Sequence, residues 1–115
     1  MISKLEIKRD AEQYINRLSD GLPHLIEKLR LSTTKNSLYV STALIELAEG
    51  LIWLEKATTF LEIEEFNKVN QTIIEINHLI KSNDFYSIGD NLEYELIPQL
   101  NEMLEMIKQV EGDGK

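Results

Sequence analysis

Cysteine is absent from this chain of 115 residues, and only two histidines are present. Without cysteine there can be no disulfide scaffold, no cysteine nucleophile and no thiolate metal site. His24 and His78 are too few for most zinc sites unless carboxylates complete the coordination. We therefore predict that the protein contains no metal site and no cofactor.

Long apolar runs are also missing from the sequence. No stretch approaches the roughly 20 apolar residues that a membrane-spanning helix needs. Residues 1–10 lack the apolar core of a signal peptide, which predicts a cytoplasmic protein. Hydrophobic residues make up 43% of the chain and charged residues 28%, which is typical of a globular protein. We predict one domain over residues 1–110 and a disordered tail over residues 111–115.

Basic side chains are outnumbered, with 12 Lys and Arg against 20 Asp and Glu, so the net charge is −8. Phosphate backbones and anionic lipid surfaces repel such a chain, which predicts neither a nucleic-acid partner nor a membrane partner. Residues 1–31 carry six basic and five acidic side chains, whereas residues 84–115 carry two and eight. We expect the first and last helices to be neighbours, with a favourable difference in charge.

Apolar residues recur at steps of three and four in four segments, and no segment alternates with a period of two. The first segment begins with a capping box at Ser3, and its apolar stripe continues past Gly21 and Pro23. Pro23 predicts a kink, with a break into two shorter helices as the alternative. Pro98 similarly removes one hydrogen bond from the fourth segment. The pattern predicts an all-α fold, an antiparallel up-down four-helix bundle with proline-kinked first and last helices.

Capping signals separate the four predicted helices. Residues 32–34 (Ser-Thr-Thr) are the predicted cap of the second helix, which runs to about Leu61. Acidic residues 62–65 favour the start of the third helix, and residues 82–84 end it and cap the fourth. Leu38, Ile45 and Ile52 form a second apolar stripe beside the main stripe of the second helix, so we expect this helix to be buried over a wide arc.

The predicted second helix has an unusual outer face, opposite its main apolar stripe. Two aromatic side chains, two small residues and two acids share this face: Glu46, Glu49, Gly50, Trp53, Ala57 and Phe60. Small residues beside large aromatics form a surface that another helix can approach closely, which predicts an interaction surface. The alternative is that helix crossing buries Trp53 and Phe60 at the edge of the protein's own core.

Residues 89–98 form the densest local pattern, in which Glu93 shares a helix side with Tyr86, Leu100 and Leu104. Glu93 is therefore a candidate semi-buried acid, hydrogen-bonded to a tyrosine hydroxyl or to a backbone group that a proline has freed. Catalysis would require an acid partner, a nucleophile or a metal nearby, and the sequence displays none. We predict a structural role for Glu93 and no catalytic residue.

Two acidic pairs support an enzymatic alternative. Glu46 and Glu49, followed by Glu62 and Glu65, resemble the Glu-x-x-Glu and Glu-x-x-Asp pairs with which all-α nucleotide pyrophosphatases of the MazG type bind magnesium. The last position here is glutamate instead of aspartate. In addition, the first pair points away from the predicted core, and the basic residues expected around a triphosphate are missing.

Residues 46–54 (ELAEGLIWL) and 84–98 (DFYSIGDNLEYELIP) together resemble an uncharacterised small helical domain family of Gram-positive bacteria of the bacillus and clostridium groups. The family pattern is Asp-x-Leu-Glu-Tyr-Glu-Leu-x-Pro. The resemblance implies a cytoplasmic setting and no particular activity. Size and acidity are also similar to those of helical flagellar export chaperones, which is an analogy of fold alone. We predict a non-enzymatic protein-interaction module that binds a partner helix or a second copy of itself.

Overall fold

The computed structural model describes residues 3–31, 37–63, 66–82 and 84–110, and within these ranges it contains helices and no strand. The elements are α1 (Lys4–Arg30), α2 (Ser37–Phe60), α3 (Phe66–Lys81), α4 (Phe85–Asn91), a π-helical turn (Leu92–Leu96) and α5 (Ile97–Lys108). The last three follow one another without a gap and together correspond to the predicted fourth helix. The all-α class is confirmed. The predicted cap at residues 32–34, Glu65 and the tail at 111–115 lie outside the described residues.

α1 is one continuous helix of 27 residues. Its first turn is capped by Ser3, whose side-chain oxygen accepts a hydrogen bond of 3.1 Å from the backbone N–H of Glu6. Gly21 and Pro23 both lie inside the helix, so the alternative of two shorter helices is wrong. Burial of Leu22, Leu25 and Ile26 on either side of Pro23 holds this part of the helix against the core.

The helices contact one another in a pattern that joins the two ends of the chain. α1 packs against α2, α4, the π-helical turn and α5, which confirms that the first and last helices are neighbours. α3 packs chiefly against α4, and its contacts with α5, with the π-helical turn and with α2 are few. A groove consequently separates α2 from α3.

Each helix contributes one apolar face to a shared core. The fully buried large side chains lie at the predicted three-and-four spacing: Ile15, Leu29, Val40, Leu51, Leu54, Val69, Ile88, Leu92, Leu96, Leu100, Met103 and Ile107. The second stripe of α2 departs from expectation, because Leu38, Ile45 and Ile52 are 78%, 60% and 54% exposed. The expected wide burial of α2 is therefore wrong. Among the described residues, the sparsely contacted α3 leaves this stripe without a covering helix.

α2 ends in a Schellman motif. The backbone N–H of Ile63 donates to the carbonyl of Thr58 at 2.8 Å, and that of Glu62 donates to the carbonyl of Thr59 at 3.0 Å. Glu62 occupies the left-handed position with φ of 63°, where glycine is normally preferred. This turn stops α2 and directs the chain towards α3.

The π-helical turn ends at Leu96, two residues before Pro98. The backbone N–H of Ile97 donates to the carbonyl of Leu92, five residues earlier. Proline lacks an N–H, and its ring clashes with the carbonyl four residues before it in a regular helix. A wider π turn relieves that clash without ending the helix, and we attribute the turn to Pro98 on this basis.

Candidate functional site

The exposed side of α2 carries a concentration of large apolar side chains. Twelve large apolar or aromatic side chains are exposed in the described part of the chain, and six of the twelve belong to α2: Leu38, Tyr39, Ile45, Ile52, Trp53 and Phe60. Scattered exposed leucines are ordinary on protein surfaces, whereas several on one helix form a patch. α2 therefore carries large apolar side chains on its exposed side as well as on its buried face.

A close contact between α1 and α2 positions the single tryptophan. The ring of Tyr14 packs edge-to-face against Trp53, with ring centroids 5.8 Å apart and an interplanar angle of 76°. The phenol lies directly over Gly50, where an added Cβ would stand 1.6 Å from the Tyr14 hydroxyl oxygen and 2.5 Å from its Cζ. Gly50 thus gives Tyr14 the room to reach Trp53, and the contact holds the indole in place.

Burial raises the pKa of the Tyr14 phenol, and the positive charge of Arg17 partly opposes that rise. Desolvation disfavours the charged phenolate, whereas a nearby cation favours it. The raised pKa agrees with the geometry, in which the hydroxyl end of Tyr14 is covered by the backbone of α2 at Gly50.

The six residues of the predicted interaction surface lie in three different environments. Glu46 and Glu49 are exposed on α2, and neither forms a salt bridge with another described residue. Trp53 and Phe60 are 38% and 52% exposed, and we call these two the aromatic edge. Gly50 is half-buried beneath Tyr14, and Ala57 is buried in the core. The expectation that Ala57 lies on the outer face is wrong, because the arc of α2 that faces α1 extends as far as this residue.

The opposite flank of α2 borders the groove between α2 and α3. Its walls are apolar, with a cavity volume of about 270 Å³. Ile45 and Ala48 line it from α2, and Ile73 and Ile80 line it from α3. Ile80 belongs to the predicted core stripe of α3, yet it is partly exposed in this groove. α2 therefore offers two apolar flanks, the aromatic edge beside α1 and the groove side beside α3.

Arg30, at the end of α1, is bonded to the helical stretch at residues 89–98, the dense pattern that the sequence singles out. Its Nη1 donates to Glu93 Oε1 at 2.6 Å, and its Nη2 donates to Asp90 Oδ1 at 2.8 Å. The guanidinium carbon also stands 5.7 Å from the centre of the Tyr86 ring. These hydrogen bonds to Asp90 and Glu93 raise the pKa of Arg30. Its Nε is buried and has no hydrogen-bond partner among the residues that the structure describes.

Glu93 is half-buried, and its partner is Arg30 instead of the expected tyrosine hydroxyl or backbone group. Arg30 is not predictable as a partner of Glu93 from helical spacing, because a basic residue at a helix end usually interacts with the helix dipole and with solvent. Two signals pointed to it. Arg30 directly follows the buried Leu29, and Asp90 and Glu93 share one helix side at a spacing of three. The ion pairs of Arg30 with Asp90 and Glu93 connect α1 to the helical stretch around the π-helical turn, and both carboxylates accept hydrogen bonds from the arginine.

The acidic pairs do not assemble into a metal site within the described ranges, where no group of three or more His, Asp or Glu side chains could hold a metal ion. Glu46 and Glu49 are exposed on α2, and Glu62 lies in the turn beyond its end. Glu65, the fourth acid of the pyrophosphatase pattern, is outside the described residues. No helix in the described part of the chain combines the length and apolar character needed to cross a membrane.

A family model for a domain of unknown function, DUF8042, matches residues 6–106. The chain belongs to the DUF8042 family. The matched range includes the exposed side of α2 as well as Arg30, Asp90 and Glu93. No curated protein and no solved structure matches the chain.

Proposed function

We propose that this DUF8042 protein is a non-enzymatic protein-interaction module that binds a partner helix or a second copy through the exposed side of α2. The observation that carries the proposal is the concentration of exposed apolar side chains on that one helix. Contiguous apolar surface of this kind marks interaction sites on soluble proteins. Burying it in a complex removes it from water, which favours association.

The aromatic edge is suited to anchor such a contact. Tryptophan is among the residues that dominate binding energies, and its benefit is greatest when its position is fixed before binding. Trp53 is held by Tyr14, and Phe60 lies on the same flank of α2 two turns later. A partner that covers both rings would bury aromatic surface without first having to order the indole.

The proposal includes the finer features that the sequence predicts. These are an antiparallel up-down arrangement of the helices with proline kinks at Pro23 and Pro98, a cytoplasmic setting in Gram-positive bacteria, and partners that are proteins instead of nucleic acids or membranes. The net charge of −8 supports the choice of partner, because it opposes approach to polyanions. The contacts of α1 with both α2 and α5 support the arrangement.

A Trp53→Ala, Phe60→Ala double variant tests the proposal. We expect it to fold like the wild type, and to lose either self-association in sedimentation or a partner in a pull-down from the source cells. An Ile74→Ala, Tyr94→Ala double variant is the matched control, because both side chains are exposed but belong to α3 and to the π-helical turn. Identical masses for all three proteins, with no partner lost by the first variant, would contradict the proposal.

A further inference from the structure

Five residues of α2 follow the three-and-four spacing of a two-helix seam, and the protein's own fold leaves all of them exposed: Leu38, Ser41, Ile45, Ala48 and Ile52. We call these five residues the α2 seam. Such spacing keeps one stripe of a helix facing a partner helix over several turns. The seam extends over four turns of α2 and borders the groove between α2 and α3, which Ser41, Ile45 and Ala48 also line.

Large and small side chains alternate along the seam. Leu38, Ile45 and Ile52 occupy one set of positions, and Ser41 and Ala48 occupy the other. In an antiparallel pair of identical helices Ile45 packs on Ala48 and Ile52 packs on Ser41, while Leu38 lies opposite Glu55 at each end of the contact. With residues 45 and 48 opposite each other, residues 41 and 52 are also opposite, and the two-fold axis passes between residues 46 and 47.

We propose that the α2 seam binds the α2 seam of a second copy of this chain in an antiparallel, two-fold symmetric pair. This inference rests on the proposed function, since it requires α2 to be a contact surface, and it names the partner and the register. Alternation of large and small residues lets the two backbones approach closely. A seam made only of large side chains would hold the backbones further apart.

The distribution of charge favours a second copy at this face. No seam residue is charged, and α2 has only four charged side chains in 24 residues: Glu46, Glu49, Glu55 and Lys56. Residues 84–115, in contrast, carry eight acidic side chains against two basic ones. Two copies of a chain with net charge −8 repel each other over most of their surfaces, and they meet with little repulsion at an uncharged stripe. A basic partner would be drawn to the acidic residues of α4 and α5 instead.

The area of the face matches a weak dimer. The seam is about 21 Å long at 1.5 Å per residue, and together with the groove beside it the face is about 20 Å wide. Two copies would therefore bury roughly 800 Å² in total, which is below the size of standard specific interfaces and in the range of weak, transient ones. We expect dissociation in the micromolar range and a monomer at high dilution.

Sedimentation equilibrium of the full chain tests the seam directly. The wild type should show a monomer–dimer equilibrium, and Ile45→Lys should raise its dissociation constant by about 100-fold or more, because the symmetric dimer contains the substitution twice. Ile74→Lys is the matched control: Ile74 is exposed to a similar degree, 54%, but lies on α3 outside the groove lining. Both positions are exposed, so helical circular dichroism should be unchanged in both variants.

Disulfide trapping tests the register, because the chain has no cysteine of its own. Ser41→Cys and Ile52→Cys variants, one of them isotopically labelled, are mixed and oxidised. The antiparallel register places residue 41 opposite residue 52 of the second copy, whereas two residues 41 are roughly 16 Å apart along the axis. Disulfides need Cα atoms within about 7 Å. Mass spectrometry should therefore find mostly mixed dimers, in which one Ser41→Cys chain is joined to one Ile52→Cys chain. Predominantly unmixed dimers would overturn the antiparallel register.

The two proposals fail in different ways. A wild type that stays monomeric at millimolar concentration, or a dimer that Ile45→Lys leaves intact, overturns the seam pairing. The proposed function still stands in that case if the Trp53→Ala, Phe60→Ala variant loses a partner. Loss of the dimer in Ile45→Lys, with no effect of Ile74→Lys, supports the seam.

Discussion

Substitution of Gly50 by alanine is predicted to destabilise the protein, against the usual preference of helices. Alanine in the interior of a helix normally gains about 1 kcal/mol over glycine. At position 50 the new Cβ would lie 1.6 Å from the Tyr14 hydroxyl oxygen and 2.5 Å from Cζ, distances that no two atoms without a bond between them can adopt. The Tyr14 side chain must therefore leave its place over α2.

The magnitude follows from what Tyr14 would lose. Its edge-to-face contact with Trp53 is worth about 0.5–1.5 kcal/mol. Returning roughly 100 Å² of ring surface to water would cost about 2.5 kcal/mol more. After subtracting the gain of about 1 kcal/mol in helix propensity, we expect Gly50→Ala to lower the free energy of unfolding by about 2 kcal/mol.

Urea denaturation followed by the fluorescence of Trp53, the only tryptophan, measures this change. In a Tyr14→Ala background the steric conflict is absent, so the same Gly50→Ala substitution should stabilise the protein by about 1 kcal/mol. A Tyr14→Phe background retains the conflict, because Cζ remains. Stabilisation of the otherwise native protein by Gly50→Ala, or an effect of the same sign in the Tyr14→Ala background, would refute the predicted conflict with Tyr14.

Three further predictions concern the helix ends and the ionisable groups. Glu62→Gly should raise the melting temperature and stabilise the protein by about 1 kcal/mol, because φ of 63° strains a residue with a Cβ; an unchanged or lower melting temperature would contradict this. Arg30→Lys should lower the melting temperature, because an ammonium group cannot reproduce the two-pronged donation to Asp90 and Glu93, and an equal melting temperature would show that the forked geometry is unimportant. The wild type should lose stability relative to Tyr14→Phe as the pH rises above about 10. The reason is that the phenol ionises first in the unfolded chain, whereas burial keeps it protonated in the folded chain. Parallel curves of unfolding free energy against pH for the two proteins would contradict the raised pKa.

The core of the fold was predictable because it depends on local spacing. The three-and-four steps identified the residues that each helix buries, from Ile15 in α1 to Ile107 in α5. The capping serine at Ser3 and the capping aspartate at Asp84 were equally readable, since both bond to a backbone N–H three residues later. Periodicity and caps are properties of one helix, so they need no knowledge of its neighbours.

Features that depend on how the helices are placed were less predictable. The stripe of Leu38, Ile45 and Ile52 has the same spacing as a core stripe, and only the sparse contact between α2 and α3 shows that it is exposed. The pairing of Arg30 with Glu93 spans 63 residues, a separation over which helical spacing carries no information. The π-helical turn depends on a balance between Pro98 and the surrounding packing, so the proline alone predicts a disturbance but not its form.

Hydroxyl-radical labelling of α2 over a range of protein concentrations is the most direct test of the claim that its outer side is a contact surface. In dilute protein, Ile45, Ile52 and Phe60 should be labelled in keeping with their exposure in the structure, and concentration or addition of a bound partner should protect them while Tyr94 stays reactive. Labelling of these α2 residues that is the same in dilute protein, in concentrated protein and in the presence of partners would contradict the claim.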